Sequence, residues 1–385
     1  MSLRSALGLE SSTKIRYGIV ALGDISQESL MPGVRHTGNS IITALVTGDP
    51  TKASEVADQY DVPGESVYSY EQYDGLLNSG KVDALYVATP NWRHAEFAVP
   101  ALKAGIHVLL EKPMEISSPL CQQIIDAQRA NPKTRLMVAY RLHFEPATLD
   151  VINHLRHGRL GKIRSFSSAF HQPVDPKNHR AHSGTNAGPL FDMGPYPINA
   201  VRNLFEAEPI EVFATAERYD DGCLPMDFDH TVAVTLKFSE SRVAQFTVSY
   251  ATANVDTFTV TGTDAVLRLD NAYGMGKPKT LIIEEKTGQT VETIKPTDHF
   301  GGEVHYFSEC ILHDRQPEPD GQEGLLDVRV IEAVLASLKT GRPVHLEPCN
   351  RERRIDMKQI EKLRPVSPKE PVHVSSPSKE SGKAS

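Results

Sequence analysis

The sequence predicts an α/β domain built on a parallel, doubly wound sheet, followed by an α+β domain with a large open, mainly antiparallel sheet. Up to Tyr140, short apolar runs alternate with amphipathic helical stretches, as in a parallel sheet that is covered on both faces. After Tyr140, long segments of period two follow one another through short polar turns, as in antiparallel hairpins. The change of rhythm therefore marks the boundary between two domains.

The length of the chain also indicates two domains. Its 385 residues are more than one hydrophobic core usually serves. We place the parallel-sheet domain at residues 14–140 and the open-sheet domain at 141–362. Residues 363–385 are mostly Ser, Pro, Lys and Glu, and we expect a disordered tail there.

In the first domain, apolar runs predict strands at 15–22, 41–47, 83–88, 106–110 and 134–140. Helical stretches fill the intervals: one ends near residue 36, and the others are at 50–60, 92–105 and 118–131. Asp49-Pro50 is a helix start signal, because Asp caps a helix and Pro suits its first position.

In the second domain, the pattern predicts helices at 146–158, 192–206, 303–313 and 322–340. Strands are predicted at 163–171, 210–219, 230–239, 243–252, 256–270, 279–286 and 290–295. An open sheet of this size leaves one face uncovered. We therefore expect a homodimer or homotetramer that buries this face.

Composition and charge exclude several classes of protein. The net charge of −8, from 41 basic and 49 acidic residues, argues against nucleic acid or an anionic membrane as a partner. We find no signal peptide and no apolar run of the ~20 residues that a membrane helix needs, so we expect a cytoplasmic protein. The four cysteines are scattered, which predicts reduced thiols and no metal site.

The first strand ends in a degenerate dinucleotide-binding motif. Residues 21–26 (ALGDIS) keep only the middle glycine of G-x-G-x-x-G, the position that lets the backbone approach a pyrophosphate. The helix N-terminus that follows supplies N–H donors. A plain strand-to-helix turn is the alternative. We expect a Rossmann-type cofactor site that includes Ala21, Leu22, Gly23, Asp24 and Ile25.

The end of the second strand bears on the choice between NADP and NAD. An NAD site normally has Asp or Glu there for the ribose hydroxyls, whereas this chain has Thr47-Gly48 and, further on, Lys52. A hydroxyl and an ammonium suit a 2′-phosphate. Asp49 either caps the next helix or binds the ribose, which would favour NAD. We expect NADP, with NAD as the alternative.

Polar side chains also follow three later strands, at the edge where open α/β sheets bind their ligands. We expect the cofactor site to include Thr89, Pro90, Asn91, His94, Glu111, Lys112 and Arg141. In the second domain, Asp192-Met193-Gly194-Pro195-Tyr196 begins a predicted helix, so Asp192 and Tyr196 would share one face.

These segments resemble the Gfo/Idh/MocA superfamily of oxidoreductases over roughly residues 14–346, most closely its glucose–fructose oxidoreductase branch. The resemblance is carried by HAEFAVPALKAGIHVLLEKPM (94–114), DMGPYPIN (192–199) and EGLLDVRVIEAVLASLKTGRPV (323–344). It implies an NADP(H)-dependent oxidoreductase that acts on a sugar or polyol. It also implies that Lys112 lies near the nicotinamide and that Asp192 and Tyr196 are catalytic.

The chemistry of alcohol oxidation is consistent with these roles. The hydroxyl proton must be removed as hydride leaves the carbon. A tyrosine is a poor base at neutral pH, but a neighbouring ammonium and a positive nicotinamide ring would favour tyrosinate. We assign Tyr196 as general acid/base and Lys112 as its electrostatic partner, the exchange of these roles being the alternative. The substrate-binding residues we expect are Lys112, Arg141, His143, Arg180, Asp192 and Tyr196.

Two other functions stay open. One is a tightly bound NADP that is cycled in place, either between two sugars or in redox-neutral sugar chemistry. The other is a dinucleotide-binding protein without turnover, since a fold alone does not guarantee activity. The sequence names neither the sugar nor the direction of the reaction.

Overall fold

The computed structural model describes residues 14–182, 184–186, 188–349, 351, 353–359 and 363–374. These residues form one six-stranded and one nine-stranded sheet, which confirms the predicted fold class. No helix in this part of the chain is long and apolar enough to cross a membrane.

The first sheet is parallel and has the order β3-β2-β1-β4-β5-β6. Its strands are β1 (Ile15–Val20), β2 (Ser40–Val46), β3 (Val67–Tyr68), β4 (Ala84–Val87), β5 (His107–Glu111) and β6 (Leu136–Ala139). The helices are α1 (Met31–Val34), α2 (Pro50–Tyr60), α3 (Tyr73–Leu77), α4 (His94–Lys103) and α5 (Ser118–Ala130). The strand order reverses between β1 and β4, where such sheets bind their ligands.

The second sheet has the order β14-β13-β12-β11-β7-β10-β9-β8-β15. Its strands are β7 (Ile163–His171), β8 (Glu211–Glu217), β9 (Thr231–Lys237), β10 (Val243–Ser249), β11 (Val255–Gly262), β12 (Ala265–Asp270), β13 (Lys279–Glu285), β14 (Gly288–Ile294) and β15 (Val344–His345). Strands β7 and β10 are parallel, and the other neighbouring pairs are antiparallel.

Five further helices follow the first domain: α6 (Pro146–Arg156), α7 (Gly188–Asp192), α8 (Pro195–Phe205), α9 (His299–Leu312) and α10 (Gly321–Thr340). Side chains of α6, α8 and α10 share a core with one face of the second sheet. In contrast, α9 packs into the core of the first sheet through Phe300, Val304 and Phe307. Gly33 permits the close approach of α9 to α1, because a Cβ at this position would lie 2.8 Å from the Gly301 nitrogen.

Two predicted elements are wrong. The single strand at 256–270 is the pair β11 and β12, which turns at residues 263–264 and pairs antiparallel. Gly262 allows this turn, since a Cβ there would collide with the Leu160 carbonyl oxygen. The single helix at 192–206 is broken between α7 and α8, so Asp192 ends one helix and Tyr196 begins the next.

The predicted disorder of the tail is wrong for residues 363–374. Val372 is only 6% exposed and packs into the core of the first domain, and its backbone N–H donates to Gln27. One buried apolar side chain with paired backbone groups therefore fixes this segment to the first domain. Residues 375–385 of the predicted tail lie outside the described residues.

Candidate active site

Lys112 follows β5 at the carboxyl edge of the first sheet, and its side chain reaches the second domain. Its Nζ donates to the carbonyl oxygen of Asp192 at 2.7 Å and to the Oδ1 of the same residue at 3.2 Å. The Oδ2 of Asp192 accepts from Arg180 at 3.0 Å and from the Tyr250 hydroxyl at 2.8 Å. Two cations and a carboxylate therefore meet where the two domains face each other.

Tyr196 lies between two positive charges. The Lys112 Nζ is 4.9 Å from the centre of its ring, and the Arg141 guanidinium carbon is 5.0 Å from it. Arg141 also donates to the Tyr196 hydroxyl at 3.1 Å, and it is held in place by the Tyr273 carbonyl and by His299. Two cations therefore face the Tyr196 ring, and one of them donates directly to the phenol oxygen.

Burial and charge act in opposite directions on the two ionised groups. Burial alone would raise the pKa of Asp192, but Arg180, Lys112 and Tyr250 outweigh it and hold this pKa well below its ordinary value. Burial alone would lower the pKa of Lys112, but Tyr196, Asp192 and Glu111 together raise it. Asp192 is therefore a carboxylate and Lys112 an ammonium at neutral pH.

The loop after β1 has the shape that a dinucleotide site requires. Ala21, at the first position of the glycine motif, has a φ of 74°, a region that favours glycine. The Ser26 hydroxyl and the Gln27 amide donate to the Ala21 and Leu22 carbonyls, at 2.8 and 2.9 Å, and fix the loop. A Cβ on Gly23 would meet no atom within 4 Å, so space lies open in front of the backbone.

Two buried polar atoms at the same edge fit a bound NADP. The Thr89 Oγ1 and the Asp24 Oδ1 are buried and have no hydrogen-bond partner in the structure. A cofactor with a ribose and an amide offers the groups that such atoms need. Of the other predicted cofactor residues, Ile25 lies in the first helical turn after the loop and Pro90 is exposed. The Asn91 amide donates to the Asn186 carbonyl of the second domain at 2.9 Å.

The loop after β2 bears on the two roles considered for Asp49, the cap of the next helix and a ligand of the ribose. Its Oδ1 accepts from the Lys52 backbone N–H at 3.0 Å, which makes Asp49 the N-cap of α2. Thr47 is buried at the end of β2, and Gly48 leaves room for the Tyr70 ring, which would lie 3.3 Å from an added Cβ. The cap uses the Oδ1 of Asp49, and its Oδ2 takes no part in it.

The structure does not place two predicted histidines where they could bind a ligand. His94 is buried, with Nε2 3.0 Å from the Thr89 carbonyl and Nδ1 3.0 Å from that of Pro113. It joins the loops after β4 and β5, and has no ring nitrogen left for a cofactor. His143 is also buried; its Nε2 lies 2.7 Å from the Asn199 Oδ1, and its ring stacks on that of Tyr140.

Glu111 has a supporting position as well. One of its carboxylate oxygens accepts from the Tyr86 hydroxyl at 2.6 Å, and the other accepts from the Lys112 backbone N–H at 3.1 Å. Burial raises its pKa above the ordinary value. Since both oxygens have protein partners, Glu111 orients the Lys112 loop and is not a cofactor ligand in this arrangement.

Four residues of the site were not predicted: Tyr86, Tyr250, Tyr273 and His299. None lies in a motif, and each comes from a different element. Tyr250 follows β10, which ends at the same edge as β7 because these strands are parallel. The alternation of these strands predicts antiparallel hairpins, and it does not show that β7 and β10 end at a common edge.

Two family models match the chain. The "Oxidoreductase family, NAD-binding Rossmann fold" covers residues 15–140, and the "GFO/IDH/MocA C-terminal domain" covers residues 149–268. Together they span more than half of the chain. Both matched regions contain parts of the site described above.

Individual relatives match over most of their length. D-xylose 1-dehydrogenase [NADP(+)] of Haloarcula marismortui is 28% identical over 86% of this chain and 93% of its own. A 1,5-anhydro-D-fructose reductase of Ensifer adhaerens is 24% identical over 86% and 98%. The crystal structure of the aldose–aldose oxidoreductase of Caulobacter crescentus with glycerol aligns at a TM-score of 0.81 and 30% identity, over 86% of this chain and all of that one. The chain belongs to the Gfo/Idh/MocA family of oxidoreductases.

Proposed function

We propose that the protein is an NADP(H)-dependent oxidoreductase that transfers hydride between the nicotinamide and a hydroxyl or carbonyl group of a sugar or polyol. The observation that carries this proposal is the meeting of Lys112, Asp192 and Tyr196 at the carboxyl edge of a dinucleotide-binding sheet. The relatives support the same class of substrate, since their names refer to D-xylose, aldoses and an anhydrosugar.

The residues divide the chemistry between them. NADP, when bound, supplies the hydride acceptor or donor. Tyr196 takes the proton from the substrate hydroxyl at its phenol oxygen, and returns it when a carbonyl is reduced. Arg141 stabilises the phenolate through its hydrogen bond. Lys112, whose pKa is raised, stays charged and acts on the substrate oxygen and on Tyr196 as a cation rather than as a base.

Asp192 and Arg180 prepare the site for this step. Asp192 bonds to Lys112 and Arg180 with different oxygens, so one carboxylate sets the positions of both cations. Arg180 and Lys112 together offer donors to the substrate hydroxyl groups. For the cofactor, Thr47 in place of an acid, with Lys52 beside it, favours NADP over NAD.

The test compares Lys112→Met and Tyr196→Phe with the wild type. We expect kcat/KM to fall by about 10²- to 10⁴-fold in each variant, while NADPH binding, followed by fluorescence titration, stays within a few-fold of wild type. Lys103→Met and Tyr219→Phe are matched controls, because both side chains are exposed and outside the site. Near-normal turnover in both site variants would contradict the proposal.

A second candidate function is NADP cycled in place between two sugars. The 30% identity to an aldose–aldose oxidoreductase favours it. It uses the same residues in both half-reactions, with Tyr196 taking a proton from one sugar and giving it to the other. It differs from the first candidate in one measurable property: the cofactor stays bound between the two half-reactions.

We also propose that the protein forms a homodimer or homotetramer through its open sheet and acts in the cytoplasm. Strands β7 to β11 present small and hydroxyl-bearing side chains on the face opposite the helices, among them Ser167, Ala233, Thr247 and Thr259. Such a flat, uncharged surface is suited to a second copy of the same face. Cys121, Cys223 and Cys310 are free thiols, which suits a reducing compartment.

A further inference from the structure

We call residues 363–374 the C-terminal strap. Within it, residues 369–373 run along α2 in the direction opposite to that helix. Near the end of α2, the Lys369 Nζ is 5.2 Å from the centre of the Tyr60 ring, and the Glu370 carbonyl accepts from the Gln59 amide at 3.1 Å. Near the start of α2, His373 lies 3.9 Å from the carboxylates of Asp49 and Glu55. The strap thus runs towards the edge of the sheet that binds the dinucleotide.

One side chain connects the strap to the loop after β1. Val372 is 6% exposed and packs in the core cluster that contains Leu22 and Leu30. Its backbone N–H donates to the Gln27 Oε1 at 2.8 Å, and its carbonyl accepts from the Gln27 Nε2 at 3.1 Å. The same Nε2 donates to the Leu22 carbonyl at 2.9 Å. Gln27 therefore fixes the strap and the residue before Gly23 at once.

The other end of the strap reaches the loop that distinguishes NADP from NAD. Asp49 follows Thr47 and Gly48, and its negative charge would repel a 2′-phosphate held by Thr47 and Lys52. His373 faces the Asp49 Oδ2, the oxygen that the Lys52 N–H does not use. An imidazole beside this loop has a ring N–H that can donate to a phosphate oxygen.

The strap lies outside the part of the chain that resembles the family, which ends near residue 346. Consistent with this, the aldose–aldose oxidoreductase of Caulobacter crescentus aligns over all of its own length to 86% of this chain. The strap also lies outside the residues that the two family models match, 15–140 and 149–268.

We propose that the C-terminal strap is an NADP-specific element: Val372 and Gln27 hold the pyrophosphate loop in its binding shape, and His373 favours the 2′-phosphate. This deepens the proposed function and depends on NADP being the cofactor. Since a docked strap favours binding, bound NADPH must favour a docked strap by the same factor. The strap then slows the release of NADP(H).

The test uses point variants of the full chain, with NADPH and NADH as probes. Val372→Asp places a charge in the apolar cluster, and we expect it to raise both the Kd and the dissociation rate of NADPH by about tenfold. His373→Ala should raise the Kd of NADPH by about fivefold and leave that of NADH unchanged. Val366→Asp is the matched control, because Val366 is 39% exposed on the same strap, and it should bind both cofactors like wild type.

Hydrogen exchange gives a readout that is independent of turnover: NADPH, more than NADH, should protect the strap amides. The proposal is overturned if His373→Ala leaves the ratio of the two Kd values unchanged, an outcome that does not depend on how Val372→Asp folds. It is also overturned if Val372→Asp exposes the strap to exchange and NADPH binding stays the same. A wild-type protein that binds no NADPH would instead contradict the proposed function.

Discussion

Asp192 organises the active site through four contacts. It accepts from Lys112 with both its carbonyl oxygen and its Oδ1, and from Arg180 and Tyr250 with its Oδ2. A buried carboxylate is costly without such partners, and two neighbouring cations are equally costly without it. The three charges therefore stabilise one another, and the site is formed before a substrate arrives.

His94 makes the protein sensitive to acid. Burial, partly offset by the carbonyls around it, lowers its pKa to about 4, whereas an unfolded histidine has a pKa of about 6.5. A pKa that is lower in the folded state means that the contribution of His94 to stability is complete above about pH 6.5. This contribution is lost as the pH falls towards 4, by about 1.4 kcal/mol per pH unit.

We therefore expect the difference in unfolding free energy between wild type and His94→Gln to shrink by about 2 kcal/mol from about pH 7 to about pH 5. Urea unfolding of the two proteins at both pH values measures it. Taking the difference removes the contribution of the other titrating groups. A difference that does not change with pH would mean that His94 titrates alike in the folded and unfolded chain.

At the scale of single residues, the sequence identifies those site residues that lie within a short motif. Lys112, Asp192 and Tyr196 stand in short recognisable segments, and the structure brings them together. His94 and His143 stand in such segments too, yet both turned inward, because a sequence does not show on which side of a loop a ring lies. Tyr250 could not be found, since its role depends on a strand pairing between residues far apart in the chain.

At the scale of elements, α8 and α10 are joined by a buried network of charges. Arg202 of α8 is fully buried and bonds Glu208, Glu323 and Asp327. Arg351 adds a second guanidinium, whose Nε is 2.7 Å from the Glu323 Oε2. Because these helices support Tyr196 and cover the second sheet, the network holds the substrate side of the site.

Arg202→Met should lower the free energy of unfolding by about 3–5 kcal/mol, because it leaves buried carboxylates without their partner. The control is Arg268→Met, which breaks an exposed ion pair with Asp270 and should cost about 1 kcal/mol or less. Urea unfolding measures both. Arg202 lowers the pKa of both Glu323 and Asp327, so its removal raises these two pKa values in the folded state, and the loss should be larger at high pH than at low pH. Equal losses in the two variants would contradict this account of the network.

The hydrophobic periodicity of the sequence predicts most helices and strands. Its errors lie where contacts between distant parts of the chain determine the turn or the strand order. Strands β1 to β6, apart from the two-residue β3, follow from apolar runs that need no knowledge of their neighbours. The turn between β11 and β12 depends on Gly262 passing the Leu160 carbonyl, which is a contact between distant parts of the chain. The order of the second sheet, with β7 beside β10, likewise cannot be read from alternation alone.

At the scale of the whole molecule, the two sheets differ in how they are covered. The first sheet has helices on both sides, and α9 crosses over from the second half of the chain to complete it. Among the described residues, the second sheet has helices on one face only. The uncovered face is the surface through which we expect copies of the chain to associate.

Ala233→Arg should separate the oligomer into monomers, because it places a charge and a large side chain in the middle of the open face. Light scattering coupled to size exclusion at micromolar concentration measures the molar mass. Asp220→Arg, in an exposed loop away from this face, is the control and should leave the oligomer intact. A monomeric wild type, or an Ala233→Arg variant with wild-type mass, would contradict the proposed interface.

The most direct test of the central claim is the absorbance spectrum of the purified protein, native and denatured, followed by the addition of NADP+ and a panel of aldoses and polyols. We predict that at least one sugar reduces the cofactor. Free NADPH in solution would identify a dehydrogenase that releases its cofactor, and NADP that arrives with the protein and is reduced without release would identify the cycle between two sugars. A protein that binds NADPH and reduces or oxidises no sugar or polyol would contradict the account.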